Sequence, residues 1–127
     1  MENGEQAGDG GGLAFVYGTL RRHGSNHFRM AGAEFVAAAT VRGKLYRIDW
    51  FPGVVLDETA GETAGEIYRV DDTMLAALDD YEGPEYRRVL TPVMPGAGVE
   101  PVLAWVWEWL LPVDERMRIA SGDWLEK

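Results

Sequence analysis

The chain has 127 residues, 46% of them hydrophobic and 26% charged, which fits one domain able to bury a core without covalent staples. The absence of cysteine excludes disulfides, thiolate catalysis and Cys-based zinc sites. Of the formal net charge of -9, Glu2, Glu5 and Asp9 supply three, leaving about -6 on the rest; this argues against nucleic acid or an anionic membrane as partner, and an anionic substrate must be held by local donors against the overall field. In chain order, residues 1–12 are too poor in apolar groups to offset their ordering entropy and are expected to form a disordered acidic, Gly-rich tail ahead of a single domain over 13–127. They carry neither the basic nor the apolar segment of a secretory leader. No apolar run approaches the roughly 18 residues of a membrane span, so a cytoplasmic location is expected.

Residues 13–17 form an apolar run that ends at Gly18, the pattern of a buried strand entering a tight turn. Ser25 is a candidate cap for a short helical turn over 26–30. Residues 33–41 and 43–48 read as two strands, Phe51-Pro52-Gly53 as a turn, 54–56 as an extended run and 63–70 as a further strand. The period then changes. Asp71 or Asp72 is a plausible N-cap; Met74, Leu75, Leu78 and Tyr81 recur at helical spacing; Gly83-Pro84 stops the helix. Residues 87–93 and 102–111 read as strands, and a short helix is expected around 115–119. Many short strands with one or two helices describe a compact α+β domain with a curled or closed sheet.

Glu82 lies where the 72–81 helix ends. The partial negative charge of a helix C-terminus, Asp79 and Asp80 within a turn, and desolvation by Tyr81 and Tyr86 would all raise its pKa. A raised carboxylate suits general acid/base work near neutral pH; position alone equally allows a solvated helix-end residue. The Tyr17-Gly18-Thr19-Leu20 turn can aim successive N–H groups into one concavity and hold a carboxylate without a cation, or it can simply end a strand. Other features carry less. His23 and His27 have metal-ligand spacing, but Gly24 lies between them and no third ligand is evident, so no metal is expected. Ser25 and Ser121 lack a nucleophile elbow, and Gly10-Gly11-Gly12 is followed by no Gly-Lys-Ser/Thr. Trp105, Trp107 and Trp109 alternate on one strand face, a packing stripe rather than a base-stacking platform.

Taken together, these residues resemble the γ-glutamyl cyclotransferase-like superfamily, in the branch of γ-glutamylamine cyclotransferases and plant avirulence-induced proteins. The resemblance runs over about residues 13–124. It is carried by Phe15-Val16-Tyr17-Gly18-Thr19-Leu20 with Arg21-Arg22 and Asn26-His27, Gly43-Lys44-Leu45-Tyr46, Phe51-Pro52-Gly53-Val54, Gly65-Glu66-Ile67-Tyr68, Leu78-Asp79-Asp80-Tyr81-Glu82-Gly83, Tyr86-Arg87-Arg88 and Ser121-Gly122-Asp123-Trp124. It implies an α+β fold, a small mixed β-barrel of about five to seven strands with flanking short helices. It also implies that the turn at Tyr17, Gly18, Thr19 and Leu20 binds the γ-glutamyl part of a small-molecule substrate and that Glu82 transfers protons, with no cofactor.

The implied reaction needs no protein nucleophile, because the substrate's α-amino group attacks its own γ-carbonyl and closes a five-membered ring, releasing 5-oxoproline and an amine. Tyr46, Tyr86 and Arg88 are further candidates for the substrate pocket; cross-strand packing and a surface ion pair are their ordinary alternatives. Two other readings stand beside catalysis: a non-catalytic module binding an amino-acid-like ligand on the same barrel, and an interaction protein using the Trp stripe as an exposed patch. Glutathione, γ-glutamyl amino acids, γ-glutamyl-lysine cross-links and γ-glutamyl amides are all compatible with these motifs as substrates.

Overall fold

The computed structural model describes residues 12–126; the expected N-terminal tail lies outside them, except for Gly12. Six strands surround one α-helix in sequence: β1 (Gly12–Val16), β2 (Glu34–Arg47), β3 (Pro52–Leu56), β4 (Glu62–Val70), α1 (Asp72–Glu82), β5 (Tyr86–Val93) and β6 (Val102–Trp109). Short 3₁₀ turns occupy His27–Met30, Glu115–Met117 and Trp124–Glu126. The strands pair in the order β1-β4-β2-β3-β6-β5, and β1 also pairs with β6. Five strands therefore close a barrel, with β5 added antiparallel along the outer edge of β6. The expected mixed barrel with flanking helices is the fold observed.

The closure is uneven. β1 and β3 both run parallel to β6, β1 pairing Ala14 with Trp105 and β3 pairing Val54 with Glu108. Since β5 covers one edge of β6 along its length, β1 and β3 share the other edge end to end. The chain leaves the barrel wall after Val16, between these two pairings.

β1 is apolar throughout because both its faces are covered. Phe15 points into the barrel with Leu45, Val54, Ile67 and Val106. Ala14 and Val16 lie on the outer face with Tyr68, Val70 and Trp107, where Leu75 and Leu78 of α1 pack over them. Truncating a buried leucine such as Leu78 to alanine in a layer of this kind costs about 2–5 kcal/mol. The alternating tryptophans are thus packed: Trp107 and Trp109 are buried, and Trp107 sits under the helix. The exposed Trp patch required by an interaction-protein reading is not formed.

α1 begins at Asp71, whose carboxylate accepts the Met74 N–H at 2.8 Å, satisfying one orphan donor of the first turn. It ends at Gly83, which takes φ 84° and donates its N–H to the Asp79 carbonyl at 3.0 Å. That left-handed step suits glycine and makes Glu82 the last helical residue.

Several local expectations are corrected. The segments 33–41 and 43–48 form one continuous strand, β2, with a bulge between Phe35 and Ala37. Gly43 does not interrupt it; a Cβ there would lie 2.9 Å from the Val55 carbonyl oxygen, so glycine permits the close approach of β3. Pro52 and Gly53 are strand residues, and the turn falls earlier, where Ile48 N–H and Asp49 N–H both donate to the Phe51 carbonyl. Pro at the first position of a strand removes no needed donor. Asn26, not Ser25, stands at the N-cap of the His27–Met30 turn, and no side chain caps it. The last strand stops at Trp109 rather than residue 111, and the late helical turn is shortened to Glu115–Met117.

Candidate active site

A cavity of about 140 Å³ opens where β1 departs from the barrel wall. The turn from Tyr17 to Leu20 forms one wall, the end of α1 with Tyr81, Glu82, Glu85 and Tyr86 another, and Trp50, Phe51 and Pro52 a third, with Trp107 beneath. The sequence-nominated turn and the sequence-nominated acid are therefore brought face to face.

Glu82 is half-buried, and its carboxyl makes no hydrogen bond or ion pair to a described residue. Its pKa is pushed up from 4.5 to about 7, first by burial and then by the negative charge of Asp79. Removing water disfavours the ionised carboxylate, and no partner compensates. Asp79 contributes as expected; Asp80, on the exposed side of the helix, is not among the causes. Asp79 is itself held in place, accepting from Arg88 Nε and from Trp107 Nε1, each at 2.9 Å.

The turn is buried across residues 17–20. Arg21 N–H donates back to the Gly18 carbonyl at 3.1 Å, while the N–H groups of Gly18, Thr19 and Leu20 meet no protein acceptor among the described residues. Buried backbone donors are nearly always paired, so three consecutive free ones on a cavity wall suit the oxygens of an anion. Gly18 is required sterically: a Cβ there would lie 2.6 Å from Pro52 Cγ. The Thr19 hydroxyl lies 3.1 Å from the Tyr81 hydroxyl and accepts from Asn26 Nδ2 at 3.3 Å, tying the turn to the last turn of α1. Behind the turn, Arg21 is buried and its Nη1 donates to Oδ1 of the partly exposed Asp123 at 2.8 Å. Glu66 accepts the Arg22 N–H at 3.0 Å and the Tyr68 hydroxyl at 2.9 Å. The exit of the turn is thus fixed by β4 and by the C-terminal segment.

The other nominated residues divide. Tyr17 lines the cavity, but its hydroxyl is committed: it donates to the Trp107 carbonyl at 2.7 Å and accepts the Val54 N–H at 3.1 Å. Burial, with Tyr86 and Glu82 nearby, holds its pKa well above the ordinary tyrosine value. Tyr86 also lines the cavity and donates to the Pro52 carbonyl at 2.6 Å; burial, followed by the charge of Glu82, raises its pKa too. Both phenols stay neutral and act as struts. Tyr46 is placed elsewhere. It is buried away from the cavity lining, and its hydroxyl donates to Glu115 Oε2 at 2.5 Å. Arg88 is likewise off the lining: it pairs with Asp79 and lies 4.5 Å from the centre of the Trp105 ring. His27 is absorbed by the loop, with Nδ1 2.9 Å from the Leu20 carbonyl oxygen.

Trp50, Phe51, Pro52, Glu85 and Trp107 line the cavity without having been singled out as site residues. The motif Phe51-Pro52-Gly53-Val54 was the available signal for part of this wall, but as local sequence it reads as a turn.

The family model described as "Gamma-glutamyl cyclotransferase, AIG2-like" matches residues 14–126. Over 116 residues the chain is 35% identical to the gamma-glutamylcyclotransferase family protein YtfP of Escherichia coli K12, covering 89% of this chain and 96% of that protein. Over 80 residues it is 41% identical to the gamma-glutamylaminecyclotransferase of Rattus norvegicus, covering 54% of this chain and 53% of that one. The crystal structure of an AIG2-like protein from Mus musculus superposes with a TM-score of 0.67 at 29% identity, covering 82% of this chain and 86% of that one. The chain belongs to the gamma-glutamyl cyclotransferase, AIG2-like family.

Proposed function

We propose that this protein cleaves a γ-glutamyl amide by intramolecular cyclisation, with Glu82 as the general base and acid. The observation that carries the reading is the unpartnered, partly dehydrated carboxyl of Glu82 on the wall of the cavity that the Tyr17–Leu20 turn also lines. A base with a pKa of about 7 is ionised often enough at neutral pH to accept a proton and acidic enough to return it.

In this scheme the N–H groups of Gly18, Thr19 and Leu20 receive the substrate's α-carboxylate, which no cation on the cavity wall is available to bind. The γ-glutamyl chain is curled so that its α-nitrogen faces its own γ-carbonyl, and the rate gain from holding that conformer is one of proximity. Glu82 takes a proton from the α-ammonium. The freed amine attacks the γ-carbon, the C–N bond to the leaving group breaks, and the ring closes to 5-oxoproline. The attacking nitrogen sheds two protons in all; Glu82 passes both to the leaving nitrogen, which departs as an ammonium, and the carboxylate is restored. The chemistry fits a cavity lined by no Cys, Ser, Lys or His.

The test is 5-oxoproline release from a panel of γ-glutamyl compounds by the parent chain and by Glu82→Gln. The expected result is release by the parent and a fall of about 100-fold or more in the variant, the usual contribution of a positioned acid/base. Near-normal turnover by the variant removes Glu82 from the mechanism. Absence of 5-oxoproline from every compound removes the activity and leaves the binding-module reading.

A further inference from the structure

We propose that the groove between the end of β2 and the C-terminal segment is a second binding site, which holds the phosphate of a small phosphate monoester between the guanidinium groups of Arg47 and Arg118. The site is independent of the cyclisation reading, since none of its lining residues lines the cavity of Glu82.

The groove has a volume of about 300 Å³, at the small end of ligand pockets. Arg47, Arg116 and Arg118 line it against a single acid, Glu126. Three of the 12 Lys and Arg residues thus meet in one place on a chain of net charge -9. Closure of the fold assembles them. Arg47 ends β2, and the C-terminal segment is joined to that strand by the pairing of Tyr46 with Arg118 and by the Ile119 N–H, which donates to the Leu45 carbonyl at 2.8 Å.

The three cations are not equivalent. Arg116 is engaged by Asp114, donating from Nε at 3.1 Å and from Nη2 at 2.8 Å. Arg47 and Arg118 form no ion pair with a described residue. Arg47 lies 5.2 Å from the centre of the Trp124 ring and gives one N–H to the Asp49 carbonyl at 3.3 Å. Arg118 lies 5.9 Å from the centre of the Tyr46 ring. Two acids near Arg118 have partners of their own: Glu115 accepts the Tyr46 hydroxyl, and Asp57 accepts from Thr59 and lies beside Lys44. Buried aromatic rings therefore position the two guanidiniums without neutralising them. Part of the side-chain freedom that binding would otherwise remove is already lost on folding.

A guanidinium presents five donors in a planar fork that meets phosphate oxygens two at a time. The turn closed by the Gly122 N–H on the Ile119 carbonyl adds to this donor set. Its middle residues, Ala120 and Ser121, line the groove, and their N–H groups meet no protein acceptor among the described residues. Met117, 39% exposed, also lines the groove and offers an organic substituent apolar contact. The acidic remainder of the protein restricts the occupant to a small one. A nucleic acid or an anionic membrane would extend beyond the arginines into a repulsive field, whereas a monoester meets only the local charge.

The test titrates the ¹⁵N-labelled full chain with phenyl phosphate, inorganic phosphate, benzoate and tetraglutamate at constant ionic strength. It follows the backbone amides of residues 117–121 and the Nε–H groups of Arg47 and Arg118. Saturable shifts confined to these groups are expected, with phenyl phosphate binding at least about tenfold tighter than benzoate or tetraglutamate. Arg47→Gln and Arg118→Gln are each expected to weaken phenyl phosphate about tenfold, while Arg87→Gln, outside the groove, leaves it unchanged. Glu126→Gln removes the one acid of the lining and should tighten binding about twofold or more; a disturbed fold would not produce that gain. Shifts that fail to saturate, binding of benzoate or tetraglutamate as tight as that of phenyl phosphate, or full affinity in the Arg47→Gln, Arg118→Gln double variant overturns the assignment. None of these results bears on 5-oxoproline release.

Discussion

Replacing Glu82 by glutamine should stabilise the folded protein at alkaline pH while removing its activity. In the fold the carboxyl is lifted from 4.5 to about 7, so the folded state holds this proton more tightly than the unfolded chain does. The sign follows directly. Below the unfolded value of 4.5 both states are protonated and Glu82 costs nothing; between 4.5 and about 7 the unfolded chain releases the proton while the native state retains it, so stability falls across that window and levels off once the native carboxyl ionises. The full difference corresponds to about 3 kcal/mol at 1.36 kcal/mol per pKa unit. Because the residue is half-buried at the rim of a cavity open to solvent, screening reduces this to about 1–2 kcal/mol.

The assay is urea unfolding of the parent and of Glu82→Gln at about pH 5.5 and about pH 8.5, with the slopes compared to verify that the same surface unfolds. The expected outcome is a variant whose advantage grows by about 0.6–1.2 kcal/mol from the lower to the higher pH, since part of the difference is already present at about pH 5.5. A variant no more stable than the parent at the higher pH would refute the argument, since it would mean that the carboxyl is fully hydrated or has a partner. Activity lost while stability is gained is the signature of a group held in an unfavourable state for chemistry rather than for the fold.

Three further outcomes are expected. The kcat/KM of the parent should rise with pH through about 7 as Glu82 ionises; Asp79→Asn, which removes the nearest negative charge and leaves the Arg88 guanidinium uncompensated, should move that limb to lower pH, and an unmoved limb would dissociate it from Glu82. Tyr17→Phe strips the partner from two buried main-chain groups, the Trp107 carbonyl and the Val54 N–H, and should cost about 2–4 kcal/mol in urea unfolding; a loss below about 0.5 kcal/mol would show that the hydroxyl is no strut. Gly18→Ala places a Cβ 2.6 Å from Pro52 Cγ and should cost about 1–3 kcal/mol through overpacking, with kcat/KM falling further than thermal stability accounts for because Gly18 and Pro52 are two walls of one cavity.

What could be read from the sequence was what depends on neighbours along the chain. The unbroken apolar run of β1 announced a strand covered on both faces, and Asp71 and Gly83 bracketed α1 closely enough to place Glu82 at its end. What failed depended on closure. Gly43 looked like a break between two strands because only the approach of β3 explains a glycine in mid-strand. Tyr46 and Tyr86 are each a tyrosine in a strand, and nothing local says that one hydroxyl turns to Glu115 and the other to the cavity wall. Trp50 and Phe51 belong to a hairpin loop whose role exists only once the barrel brings it beside the end of the helix.

The position of the cavity follows from a topological shortage. β6 has one edge for two parallel partners, so β1 takes its first half and β3 its second, and a gap must open where one gives way to the other. Open ladder groups inside a protein are costly, and Tyr17, the first residue past β1, meets two of them with its hydroxyl, accepting from β3 and donating to β6. The main chain beyond Tyr17 is then released from the sheet with the N–H groups of Gly18, Thr19 and Leu20 unpaired among the described residues, and α1 closes over the outer face so that its last residue, Glu82, reaches the same place. A pocket with free main-chain donors on one side and an unpartnered acid on the other is thus a consequence of how this barrel closes. The chemistry proposed for it, a carboxylate held by main-chain donors and a proton shuttle opposite, uses what that closure leaves unsatisfied.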